Sequence, residues 1–99
     1  MARYLMLWEL DRGRIAADPK ERAADWTKLA EMVKKDLKGG VTKSWGAFVG
    51  EMKGYCVVEG ETLDIAMMVQ RYTPYVYFQT FPCVGVEQIE QMLKQLAAG

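Results

Sequence analysis

The sequence predicts a single α+β domain, with four strands in one antiparallel sheet and helices packed on one of its faces. Three observations carry this. Tyr4–Leu10 and Tyr75–Phe81, near opposite ends of the chain, are apolar on odd and even positions alike, and side chains alternate across a strand, so both runs need cover on two faces. Between them lie two stretches with apolar residues at helical spacing and one glycine-bounded hairpin. The chain has 99 residues, the length of one domain, taken as 1–99.

The first strand is Ala2–Leu10, followed by the polar connection Asp11–Asp18. The first helix opens with Asp18 as N-cap, Pro19 at the first helical position and Glu21 three residues after the cap. Its apolar stripe is Ala23, Trp26, Leu29/Ala30, Val33 and Leu37, with lysines and carboxylates on the solvated side. Gly39-Gly40 ends it. Val41–Val49 and Tyr55–Glu59 read as a hairpin around Gly50–Gly54. That glycine-bounded segment joins two strands and opens no helix, so it is a turn and not a phosphate loop. The second helix runs from about Glu61 to Tyr72, and Pro74 closes it. Tyr75–Phe81 is the fourth strand, with Pro82 expected to end its pairing. A third helix spans Val86–Ala97, with Val86, Ile89, Met92/Leu93 and Leu96 on one stripe.

The order β-α-β-β-α-β plus a C-terminal helix is the ferredoxin-like pattern. Right-handed crossovers put the first and third strands in the centre of the sheet and two helices on one face. Alternation divides the strand residues into two sets. Leu5, Leu7, Cys56, Val58, Val76 and Phe78 are assigned to the helix side. Tyr4, Met6, Trp8, Tyr55, Val57, Glu59, Tyr75, Tyr77 and Gln79 are assigned to the other. Left in water, that second set makes a larger apolar patch than a monomer usually tolerates. A homodimer joined through the sheet face is the expected remedy, and the third helix either folds over that face or clasps the partner.

Composition narrows the function. Lysine plus arginine and aspartate plus glutamate each number 13, for zero net charge, which argues against nucleic-acid binding. No apolar run is long enough for a membrane span, and the N-terminus lacks the layout of a signal peptide, so the expected setting is cytoplasmic. The absence of histidine excludes histidine-ligated haem, histidine-based zinc sites and histidine general bases. No cofactor and no metal site is expected. Cys56 and Cys83 are placed on strands too far apart for a disulfide and read as small buried hydrophobes.

An aromatic first strand ending Trp8-Glu9, the hairpin Trp45-Gly46…Gly54-Tyr55-Cys56-Val57-Val58-Glu59 and the last strand Tyr75–Phe81 resemble the dimeric α+β barrel superfamily. The nearest likeness is to small, functionally uncharacterised single-domain members whose third strand ends in a valine–glutamate step. The resemblance implies a cleft for a small ligand beside the sheet. Characterised relatives range from cofactor-free monooxygenases and an isomerase to haem proteins and ligand sensors, so it selects no chemistry. This chain lacks the histidine and the asparagine that several of those relatives use.

The candidate catalytic residue is Glu59, which ends the third strand beside Tyr55 and Val57. An aromatic surround there would desolvate it and suit it to proton transfer; the alternative is an exposed glutamate at a helix N-terminus. Trp8, Trp45, Tyr4, Tyr55 and Tyr77 are the candidate ligand wall, and the same residues would serve a dimer interface. Arg12 and Arg14 are candidates to receive a ligand carboxylate or phosphate. Two functions follow. One is a non-catalytic binding or accessory domain for an apolar or aromatic molecule. The other is a cofactor-free isomerase or monooxygenase using Glu59. The first is preferred, because no nucleophile–base constellation is visible.

Overall fold

The structure, a computed structural model, describes residues 2–99. Its elements are β1 (Ala2–Leu10), a 3-10 turn (Arg12–Arg14), α1 (Pro19–Gly39), β2 (Thr42–Ala47), β3 (Lys53–Gly60), α2 (Thr62–Tyr72), β4 (Val76–Cys83) and α3 (Val86–Ala98). The α1 boundaries follow from capping chemistry. The Glu21 N–H donates to Asp18 Oδ2 at 3.2 Å, satisfying one of the free donors of the first turn. At the other end Gly40 takes φ 87° and donates its N–H to Leu37 O, a left-handed cap that glycine adopts without Cβ strain. No helix among the described residues is long and apolar enough to cross a membrane.

The four strands form one antiparallel sheet in the order β2-β3-β1-β4. The two apolar-rich central positions therefore go to β1 and β3, an arrangement compatible with a ferredoxin-like fold. Pro82 does not end β4: it pairs opposite Tyr4, and pairing continues to Cys83 opposite Arg3. An edge strand turns half its N–H groups outward, so a proline there costs no ladder bond when its nitrogen faces out.

One face assignment is overturned. Met6 lies opposite Cys56, Tyr4 opposite Val58, and Leu10 opposite Val76, and directly opposed residues share a face. Met6, Trp8, Cys56, Val58 and Val76 are buried together with Ile65, Met68 and Tyr72 of α2. Tyr4, Met6 and Trp8 thus belong to the helix side, and Leu5 and Leu7 to the open side. The β3 and β4 residues fall as the alternation predicts. For β1 the alternation holds no information, since both of its faces are apolar; a shift of one residue exchanges them. The larger Met6 and Trp8 fill the helix side, where they are fully or almost fully buried.

Two glycines let aromatic rings lie flat on the sheet. Gly54 pairs with Trp8, and a Cβ on it would stand 2.1 Å from Gly46 O and 2.5 Å from the Trp8 ring. A Cβ on Gly46 would stand 2.5 Å from the ring of its cross-strand partner Tyr55. Over Gly54 the Trp8 indole is fixed further by its Nε1–H, which donates to Tyr55 O at 3.2 Å.

The third helix covers nothing. No α3 residue is buried, and its stripe is in solvent, with Val86 66% and Leu96 69% exposed. The open sheet face, carrying Leu5, Leu7, Tyr55, Val57, Tyr77 and Phe81, has no helix over it; Tyr77 and Phe81 are exposed and the others half-buried. The chain consequently extends 61 × 25 × 19 Å, with a radius of gyration of 16.6 Å, against about 13 Å for a compact domain of this length.

Candidate functional site

A cavity of about 310 Å3 lies between α1 and the sheet. Its existence follows from how α1 sits. No residue of α1 is fully buried, although Trp26, Leu29 and Val33 of its stripe are half-buried and turned inward. Leu29, Met32 and Val33 pack against the core and α1 meets β2, but the helix leaves the space over Trp8 and Phe78 unfilled. Beneath it lie Trp8, Cys56, Val76 and Phe78 of the sheet and Met68 and Tyr72 of α2.

All three tryptophans of the chain line this space. Trp8 and Trp45 stack with ring centroids 5.3 Å apart and planes 7° from parallel, an offset arrangement that adds to the energy of simple burial. They form one wall of the cavity, and Trp26 reaches in from α1. The resulting surface is flat, aromatic and almost wholly apolar.

Two hydroxyl groups of the cavity are engaged within the protein. Thr42 Oγ1–H donates to Met68 Sδ at 3.8 Å, and Tyr72 Oη–H donates to Asp36 Oδ2 at 2.6 Å. Asp36 also takes the Arg71 guanidinium, so one carboxylate of α1 is latched to two residues of α2. Burial and the Asp36 hydrogen bond raise the Tyr72 phenol well above its usual range. The only carboxylate lining the cavity is the exposed Glu51.

Cys56 is 3% exposed, and burial, assisted by the Asp36 charge, raises its thiol to about 11. It is therefore a neutral, unreactive thiol at physiological pH. Cys83 is free but exposed, so of the two cysteines only Cys56 is the buried hydrophobe expected. In a Cys83→Ser protein, Cys56 should resist a disulfide reagent such as Ellman's at pH 8 and react at once in denaturant. The same shift makes a stability statement. Below about pH 9 the thiol is protonated whether the chain is folded or not, and its contribution is intact. From there to about 11 the unfolded chain ionises first, so stability falls as pH rises. Alkaline denaturation curves should show this fall, and Cys56→Ala should lessen it, leaving the part that the raised Tyr72 phenol contributes at higher pH.

The sequence candidates divide between two places. Trp8 and Trp45 are in the cavity wall. Tyr55 and Tyr77 are on the open face, opposite Leu7 and Glu9 respectively; the β1 parity that separates Trp8 from them is the reason they do not form one wall. Glu59 is also on the open side. It accepts from Arg3 Nε at 2.9 Å and Nη2 at 2.8 Å, with Lys43 Nζ at 4.0 Å. Its surround is two cations and not the aromatic pocket anticipated. Arg12 is exposed, 3.9 Å from Glu9, and is not among the residues lining this cavity. Arg14 lines a second cleft beside the first.

Trp26, Thr42, Asp36 and Tyr72 are site residues that the sequence reading did not single out. A signal for Asp36 was present: it follows Val33 by three residues, inside the apolar stripe of α1, where a carboxylate needs a partner. No protein-family model matches the chain, and no curated protein matches it in sequence.

Proposed function

We propose that the protein is a homodimeric binding domain of the dimeric α+β barrel type that holds a small apolar or aromatic molecule in the cavity under α1. The observation that carries this is the cavity itself: about 310 Å3, within the range of small-molecule sites, lined by three tryptophans and mostly by apolar side chains. Such a lining favours retention over conversion. A general acid or base needs a free proton-transfer group within reach of the ligand, and Glu59, on the open face, is not one.

Surface area supports the second copy. The chain exposes 7234 Å2, against about 5,700 Å2 for a compact monomer of its mass. The excess, about 1,500 Å2, is nearly twice the roughly 800 Å2 per chain that a standard interface covers, so there is room for a partner. Most of the exposed large apolar residues lie between Tyr75 and Leu96, on and around β4 and on α3. No charge occurs between Arg71 and Glu87, so β4 lacks the charged residues that normally blunt a free edge. Two unpaired thiols agree with a reducing, cytoplasmic setting.

The ligand reading is tested with 1-aminoanthracene, a flat apolar dye that brightens when desolvated. It should bind one site per chain and quench tryptophan emission, since every tryptophan lines the cavity. Val33→Trp, which fills the cavity from α1, should weaken binding at least tenfold while the melting transition remains cooperative. Undiminished binding by the folded variant would place the dye elsewhere and overturn the reading.

A further inference from the structure

We infer that the cavity is the apolar half of a longer site, whose ligand carries a single anionic head group held next door by Arg14 and Lys28. This deepens the reading above and rests on it. A second cleft of about 290 Å3 adjoins the first. The two share Leu10, Trp26 and Leu29 as lining residues, so one layer of side chains divides them. Two of those three come from the same turn of α1.

The chemistry changes across that wall. The first cavity is lined by no lysine or arginine. The second is lined by Arg14, Lys28 and Arg71. Arg71 is committed to Asp36. Arg14 is positioned without being used up: its Nε lies 3.2 Å from Asp11 Oδ2, and its guanidinium carbon lies 5.7 Å from the centre of the Tyr75 ring. This fixes the planar group while the Asp11 pair engages Nε, and the terminal nitrogens are the fork that suits an oxyanion. Lys28 has no ion-pair partner among the described residues. Asp11, which holds Arg14 Nε, and Asp25 stand in the same lining, so a head group with two negative charges is opposed more than one with a single charge. A molecule with its body beside Trp45 and its head beside Arg14 has to part the shared side chains of Leu10, Trp26 and Leu29, and both of its ends are then matched. The ligand class is an amphipathic monoanion, of which a medium-chain carboxylate is the simplest example.

The experiment is a titration of the full chain with octanoate, decanoate and dodecanoate below their micellar concentrations, with decanol and decyltrimethylammonium as head-group controls and 1-aminoanthracene as the displaced probe. Decanoate should bind at least tenfold more tightly than decanol, and the difference should shrink at high salt. Each added methylene should improve affinity by about fourfold. The double variant Arg14→Gln, Lys28→Gln should lose the preference for decanoate while its affinities for decanol and the dye stay unchanged. Equal binding of decanoate and decanol, or a preference for the ammonium compound, would overturn the head-group inference and leave the cavity reading standing. Tighter binding of decyl phosphate as its dianion would overturn the single-charge assignment. Failure of the dye itself to bind would overturn both.

Discussion

A protein carrying Leu93→Glu and Leu96→Glu is expected to sediment as a single copy at concentrations where the parent chain sediments as two. Both residues lie on the α3 stripe and are more than half exposed in the isolated chain. The substitutions therefore leave the body of the domain untouched. Against a partner they would bury two carboxylates without a counter-charge, at several kcal/mol each. The predicted outcome is at least a thousandfold rise in the dimer dissociation constant, read by sedimentation velocity across a dilution series. A parent chain that is already monomeric and folded at micromolar concentration would remove the dimer from the proposal. Because the cavity is on the helix side, ligand binding by the monomeric variant should persist.

The second large effect is predicted for Gly54→Ala. The added methyl would meet Gly46 O at 2.1 Å and the Trp8 ring at 2.5 Å. The oxygen belongs to the backbone of β2, so relief requires the strand to move or the indole to leave its place. A cost of about 3–5 kcal/mol is expected, which in a domain of this size lowers the melting temperature by on the order of 15 °C or more. Gly46→Ala should cost less, because its obstruction is the half-exposed Tyr55 ring, which can swing away. Gly39→Ala is the control. It lies in α1 with nothing near its added methyl, so it should be neutral or slightly stabilising. Thermal melts of the three proteins, compared with the parent, check the ranking.

Local chemistry was enough to read most of the architecture. Asp18, Pro19 and Gly40 delimit α1 by capping groups that act within a turn or two. The strand order follows from short connections and the handedness of crossovers. What escaped was decided by packing between distant segments. Leu5 and Leu7 against Met6 and Trp8 is a choice between two greasy faces, and only the volume under α2 makes it. That choice carried the candidate site with it, by separating Trp8 from Tyr55 and Tyr77 and leaving Glu59 among cations. The gap beneath α1 escaped for a related reason. A stripe of apolar residues reports which way a helix faces, but not how far from the sheet it rests. Cys83 escaped because a strand-end residue of an edge strand is buried only if something lies across it.

Trp8 of β1 and Trp45 of β2 stack on one another, and Trp26 of α1 lines the same cavity. A guest that touches all three would act as mortar between them. Its affinity would then be carried directly into resistance to unfolding, about 2.7 kcal/mol at a hundred times its dissociation constant. For this molecule occupancy and thermal endurance are two readings of one equilibrium, and a melting-point screen of metabolite mixtures is a direct way to fish for the natural guest.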